Sequence, residues 1–355
     1  MSTKGLRRAA VLGAAGLIVW VAGAASAGTQ ANLYNVHALV SDSAATPAAA
    51  ADASLVNGWG LTAGPTTPWW AVNNGTGTST LYNGAGAKQA LAVTVAGGPT
   101  GVVFNGSASD FVVSDGGKSG AARFLFATES GRIAGWSPAV NANTAVTGVD
   151  RSATHAIYKG LAIANDKLYA TDFHNAGVDV FDKTFGIVRG GFSDRKIPKG
   201  FAPFGIQSLA GNIFVTYARQ DAAKEDDVAA PGQGFVDEFT PDGALVARVV
   251  NSGKRNAPLN AAWGLALAPS NFGVFSGDLL VGNFGNGRIS AYTQRGSKWV
   301  YKGQLRRANG SAVVIDGLWA LAFGNGAAAG TTTTLYFLSG PSGETHGLFG
   351  SISAG

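Results

Sequence analysis

Cysteine is absent from the 355 residues, and methionine occurs once, at position 1. Histidine occurs four times, at His37, His155, His174 and His346. Without cysteine there is no disulfide, thiol nucleophile, zinc–thiolate centre or c-type haem attachment. Four scattered histidines offer no H-E-x-x-H zinc motif, and no G-x-S-x-G nucleophile turn occurs. Charge is also sparse: Asp, Glu, Lys and Arg make up 13% of the chain. The Lys and Arg residues form no stripe beside aromatics, which excludes a nucleic-acid interface. Helical periodicity is nearly absent after residue 27. Glycine, by contrast, numbers 52, a composition suited to short strands and tight turns.

The first 27 residues read as a secretory signal. Lys4, Arg7 and Arg8 form a basic start, Ala9–Ala24 an apolar stretch, and Ala25-Ser26-Ala27 a small-residue cleavage site. The apolar stretch is shorter than a bilayer span requires, and no later segment is long and apolar enough to be one. The expected mature chain, 28–355, is one domain, secreted or periplasmic. It carries 23 basic against 21 acidic residues, because three of the 26 basic side chains lie in the signal. With no disulfide, a chain of this size is held by its core alone, and it exceeds one ordinary compact core. Many small cores around a shared axis resolve that tension.

A repeated phrase supplies them. Its heads are Trp59-Gly60-Leu61, Thr100-Gly101-Val102, Lys159-Gly160-Leu161, Phe204-Gly205-Ile206, Trp263-Gly264-Leu265 and Trp319-Ala320-Leu321. Each head is followed by a second strand-like run. These runs end near Asn73, Asp115, Asp172, Tyr217, Asn283 and Ser339. Residues alternate with period two, rich in Val, Ile, Phe, Tyr and Thr, between Gly, Asn, Asp and Pro punctuation. Head spacings of 41, 59, 45, 59 and 56 residues match propeller blades with loop insertions at Ala139–Ile157, Gln220–Gly234, Lys254–Ala262 and Ser270–Gly277. The fold class is therefore all-β, a six-bladed β-propeller. A sandwich would not repeat one strand phrase six times, and a β-helix would have a shorter period. Leu33–Val40 is expected to pair with the last blade, whose strands include Thr334–Leu338 and Gly347–Ile352, and so close the ring. The glycines at the heads fit crowded inner strands. Trp59, Trp263 and Trp319 are expected to fill space between adjacent blades.

The second runs end at one mouth of the central channel, the default place for a site. Its expected lining is Asn73, Asn74, Asp115, Asp172, His174 and Asn283, with Ser339. Converging oxygens suit a hard cation such as Ca²⁺, with Asp172, Asp115 and Asn283 as ligands. The same residue types also follow strands simply because they turn well. His174, two residues past Asp172, is the general-base candidate, and a surface turn histidine is the plainer reading. Gln220–Gly234, with Asp221, Lys224, Glu225, Asp226 and Asp227, is the one dense charge run. It reads as a solvated loop or as an acidic cover for a cation or a cationic partner.

Leu168-Tyr169-Ala170-Thr171-Asp172 through Val178-Asp179-Val180-Phe181-Asp182 resembles an NHL-type propeller repeat. Leu55–Leu61, Tyr217–Asp242, Leu259–Gly287 and Leu335–Ile352 together resemble an uncharacterised family of secreted bacterial propeller proteins. That resemblance implies a six-bladed fold and export, and brings no catalytic residues. A more distant similarity is to calcium-dependent lactonase and arylesterase propellers. In those enzymes an acidic residue placed like Asp172 is a metal ligand, and an asparagine stands where this chain has Lys159. The leading expectation is a binding or scaffold module for an extracytoplasmic protein, a glycan or a small molecule. The alternative is a Ca²⁺-dependent ester or lactone hydrolase with an axial metal. A quinone-dependent dehydrogenase has no positive sign in the sequence.

Overall fold

The computed structural model describes residues 1–2, 31–251 and 258–355. The signal segment and its cleavage site at Ala25-Ser26-Ala27 fall in 3–30, outside the described residues, as do residues 252–257. Ala31–Gly355 forms one compact unit.

Five four-stranded antiparallel sheets and one five-stranded sheet form six blades along the chain. Blade 1 is Gly58–Thr62, Trp69–Asn73, Thr78–Tyr82 and Lys88–Thr94. Blade 2 is Pro99–Phe104, Phe124–Thr128, Arg132–Trp136 and Val146–Asp150. Blade 3 is Tyr158–Ala164, Lys167–Asp172, Gly177–Asp182 and Ile187–Val188, and blade 4 is Phe201–Leu209, Asn212–Arg219, Phe235–Phe239 and Leu245–Val250. Blade 5 is Ala262–Leu267, Leu279–Asn283, Ile289–Arg295 and Lys298–Gln304. Blade 6 joins both ends of the unit. Leu318–Phe323, Leu335–Ser339 and Leu348–Ala354 are completed by Tyr34–Ser41, which pairs antiparallel from Tyr34↔Ala354 to Ser41↔Leu348. The short strand Ala50–Ala51 then adds in parallel. The expected closure of the ring is observed.

The heads lie on the innermost strands, where glycine has a physical cause. A Cβ on Gly60 would sit 2.3 Å from the Thr100 carbonyl oxygen of the next blade, and one on Gly205 would sit 2.1 Å from that of Trp263. Neither approach tolerates a methyl group.

Two expectations need correction. Phe111–Asp115 is not the second strand of blade 2. Val112–Asp115 pairs with Lys118–Ala121 as a separate two-stranded hairpin turned by Gly116 and Gly117, both at positive φ, and the second strand is Phe124–Thr128. Phe111 and Val113 look like strand core because they are buried, but they pack as a cover against the blade's Leu125 and Ile133. The hairpin accounts for the long spacing between the Thr100 and Lys159 heads. Ala139–Ile157, expected as loop, contains the outer strand Val146–Asp150. The second correction concerns the tryptophans. They do bridge adjacent blades, but they do so on the propeller axis, where they also reach blades that are not neighbours. Trp319 of blade 6 stacks on Trp59 at 3.9 Å and on Phe284 at 4.1 Å, and meets Phe204 of blade 4 at 5.7 Å and Trp263 at 5.9 Å. Rings from non-adjacent blades can touch only across the centre.

Gly205→Ala is expected to lower unfolding stability by roughly 3 kcal/mol, because the inner strand must move away from blade 5. Gly177→Ala, where a Cβ meets nothing within 4 Å, should stay within about 0.5 kcal/mol of the parent. Denaturant melts of the two variants provide the check.

Candidate functional site

The inner strands begin, and the second strands end, on one face; we call its opening the upper mouth. In four blades the residue after the second strand meets the central side chains. Asn74 occupies that place on blade 1, Glu129 on blade 2, Phe173 on blade 3 and Phe284 on blade 5. The ring is thus polar on one side and aromatic on the other.

Lys159 anchors the polar side. Its side chain is 2% exposed, its ammonium lies 5.2 Å from the centre of the Trp59 ring, and it donates to Glu129 Oε1 at 2.6 Å and Asp226 Oδ1 at 3.0 Å. Glu129 Oε2 accepts from Asn74 Nδ2 at 2.9 Å. Asn57 Nδ2 donates to Asn74 Oδ1 at 3.3 Å and to Glu344 Oε2 at 2.7 Å, while Asn57 Oδ1 accepts the Trp319 indole N–H at 3.0 Å. One hydrogen-bonded chain therefore runs from the aromatic plug, through blades 1 and 2, to the charged loop of blade 4. Burial alone would depress the Lys159 ammonium, but the charges of Glu129 and Asp226 outweigh it and hold the pKa above its ordinary value. Burial raises the Glu344 carboxyl and pushes Asp227 up to about 7, with Glu344 and Asp226 adding to the latter shift against the pull of Lys159.

Of the residues expected at this mouth, only Asn74 joins the network. Asn73 is buried one position earlier and donates to Thr78 and Thr80 Oγ1 at 3.0 Å, stitching two strands of its own blade. Asp172 accepts from the Ile157 and Asn175 N–H groups and from Asn175 Nδ2, which fixes a turn; burial raises its pKa. Asn283 Oδ1 accepts from Asn260 N at 2.8 Å, and its Nδ2 donates to Arg288 O at 2.9 Å. Ser339 is buried with its hydroxyl unpaired. His174 is half-buried, with its ring centre 6.1 Å from that of His155 and no bond to the Lys159 network. Asp115 is on the inserted hairpin, exposed, and accepts from Asn141 at 3.4 Å. Asp115, Asp172 and Asn283 thus do not assemble into a ligand set: one is displaced to the hairpin, and the other two hold local backbone. Among the described residues no group of three or more His, Asp or Glu side chains is placed to hold a metal ion. Sequence reasoning missed Glu129 and Glu344. Glu129 becomes visible once the second strand of blade 2 is read as ending at Thr128.

The lower mouth differs. Two adjoining hollows of about 270 and 440 Å³ open there, sharing Leu61, Thr62, Ala63, Gln207 and Asn325. Inner strands of all six blades contribute walls, among them Val102, Ile163, Leu265 and Leu321. The polar groups are neutral. Asn325 ties the blade 1 loop by donating to Gly64 O at 2.7 Å and Thr67 O at 2.9 Å. Trp69, 1% exposed, has an indole N–H with no partner. No ionisable side chain lines either hollow.

No family model matches the chain. "Uncharacterized protein L690" of Acanthamoeba polyphaga mimivirus is 30% identical over 319 residues, 86% of this chain and 82% of that protein. "Uncharacterized protein R648" of the same virus is 31% identical over 289 residues, 78% of this chain and 70% of that protein. A third, "Uncharacterized protein R640", is 30% identical over 226 residues, 62% of this chain, and the match spans only 41% of its length. Among solved structures, a protein of unknown function from Bacteroides thetaiotaomicron superposes with a TM-score of 0.56 at 11% identity, over 90% of this chain and 76% of that one. Virginiamycin B lyase from Staphylococcus aureus does so with a TM-score of 0.50 at 11% identity, over 90% of this chain and 99% of that one. At such identities the likeness is one of fold.

Glu129→Gln should destabilise the chain by about 3 kcal/mol, because it leaves a buried ammonium with only the exposed Asp226 carboxylate as counter-charge. Asp226→Asn should cost less than about 1 kcal/mol, since that carboxylate is 75% exposed. Urea denaturation of both variants compares them directly. Asp227 carries an opposite signature. Its folded pKa lies above the unfolded one, so its contribution to stability is present at low pH and is lost as pH rises from about 4 to about 7. Asp227→Asn should therefore melt close to the parent at pH 4.5 and above it at pH 8, read from melting temperatures across that range.

Proposed function

The chain belongs to the family of these uncharacterized mimivirus proteins, and from that premise we propose that it is a binding propeller that holds a small, neutral molecule in its lower mouth. One observation carries this reading: two adjoining hollows, walled between them by all six inner strands, with neutral hydrogen-bonding groups and, at the smaller one, a buried, partnerless Trp69 N–H. The lining mixes aliphatic side chains with neutral polar groups, and a concavity with convergent polar groups is the usual form of a small-molecule site. Acid–base catalysis needs a titratable group within hydrogen-bond reach of the reacting atoms, and this lining has none. The stacked rings of Trp59 and Trp319 and the bonded Lys159 network fill the upper end of the axis, which supports placing the ligand at the lower one. Export through the N-terminal segment belongs to the same proposal.

The test is saturation-transfer NMR on the full chain with a set of small neutral aromatic and aliphatic alcohols and amides. Binding is expected for some members of the set and should disappear in Leu321→Trp, which fills the hollow, while Trp69→Phe weakens it several-fold. Two results would overturn the reading: no binding by any member of the set, or ester or lactone turnover that is abolished both by EDTA and by Asp172→Ala. The second result would establish the hydrolase instead.

A further inference from the structure

A third hollow, of about 550 Å³, opens on the lower face between blades 1 and 2. It meets the larger axial hollow at Pro65 and Phe104, which line both. One wall is the turn between the first two strands of blade 1, carrying Pro65 and Pro68. The floor is a set of aromatic rings from both blades. Trp70 stacks on Phe124 at 3.9 Å and meets Trp136 at 4.8 Å, and Phe104 leans on Phe124 at 5.3 Å.

Arg123 is the one charged residue on this lining. It stands immediately before the second strand of blade 2 and is half-buried. Its guanidinium lies 5.3 Å from the Phe104 ring centre, and Nη1 donates to Ser107 O at 3.2 Å. Its remaining N–H donors have no partner, and it forms no ion pair, among the described residues. Arg132, Arg151 and Arg248, by contrast, are each paired with aspartate. Two neutral polar groups of the lining are already committed. The Trp136 indole N–H donates to Ala142 O at 3.0 Å, and the Thr67 hydroxyl donates to Pro68 O at 2.9 Å while accepting from Gly64 N at 2.8 Å.

The ligand chemistry that matches this arrangement is narrow. A guanidinium presents a rigid fork of donors, and contact with an aromatic face helps to hold that fork in place. A carboxylate accepts two of its parallel N–H groups at once and supplies the missing counter-charge. A cation is repelled, and a neutral amide leaves the charge unpaired. The aromatic floor and the proline wall favour a flat apolar body that packs edge-to-face or offset against the rings. The volume is within the usual range for a small-molecule site. We propose that this cleft binds a small aromatic carboxylate, its carboxyl group on Arg123 and its ring among Phe104, Trp136 and the two prolines. The axial hollows carry no ionisable side chain, so this site is chemically distinct from them and does not depend on their being occupied.

The test titrates benzoate, phenylacetate and indole-3-acetate, each beside its neutral amide, into the full chain, read by saturation-transfer NMR and calorimetry. At least one acid should bind, and its amide about tenfold more weakly, the loss of one charge-assisted pair. The acid's affinity should fall as salt is raised. Arg123→Gln should bring the acid down to the level of its amide. Gly106→Leu should fill the cleft and abolish binding with the fold intact, since a Cβ there meets only the Phe104 ring, at 3.8 Å. Leu321→Trp, which fills the axial hollow, should leave the acid's affinity unchanged. The acid–amide comparison is repeated in that variant, so that an amide held on the axis does not mask it. Three outcomes overturn the proposal: no acid binds; acid and amide bind alike in Leu321→Trp; or the acid is lost from Leu321→Trp and retained by Arg123→Gln, which places it on the axis.

Discussion

Six inner strands meet around one axis, closely enough that a single methyl group at Gly60 or Gly205 would collide with the carbonyl of the next blade. This approach governs the remainder of the architecture. It sets the tilt at which each blade leans on its neighbour, and it directs the residue before each small head into the shared centre. Those residues are Trp59, Thr100, Lys159, Phe204, Trp263 and Trp319. Four are aromatic and interlock as a plug. No disulfide assists, so ring closure by Tyr34–Ser41 on the last blade is what prevents the circle from opening at a bare sheet edge.

Lysine among these axial residues has consequences. An ammonium cannot remain buried alone, so blades 2 and 4 supply Glu129 and Asp226, and the asparagines of blade 1 link that pair to the plug. The upper mouth is consequently an occupied polar network. The lower mouth lacks such a demand and remains open and uncharged. The inner strands thus generate two different ends, because their first residues face the upper mouth and their last residues the lower one.

The repeat was readable because both of its components are local. The Gly-Leu heads and the alternating second strands carry their period in the sequence, and for blades 1, 3, 4, 5 and 6 strand ends and topology agree with that reading. Blade 2 shows its limit. Phe111–Asp115 has the composition of a core strand, and only its partner distinguishes it. The Gly116-Gly117 pair was the local cue for a hairpin. The candidate site was less legible. Asn73, Asp172 and Asn283 share one position in the repeat, but a shared position does not mean a shared destination: each turns into bonds within its own blade, while the next residue, as at Asn74 and Glu129, reaches the axis.

The sequence by itself determined the class of fold, the number of blades and the need for glycine at the heads, since strand alternation and backbone crowding act over a few residues. The tertiary structure alone decided which side chains meet. Lys159, Glu129, Asp226 and Glu344 are far apart in the chain and come together only because a ring brings residues from different blades to one axis.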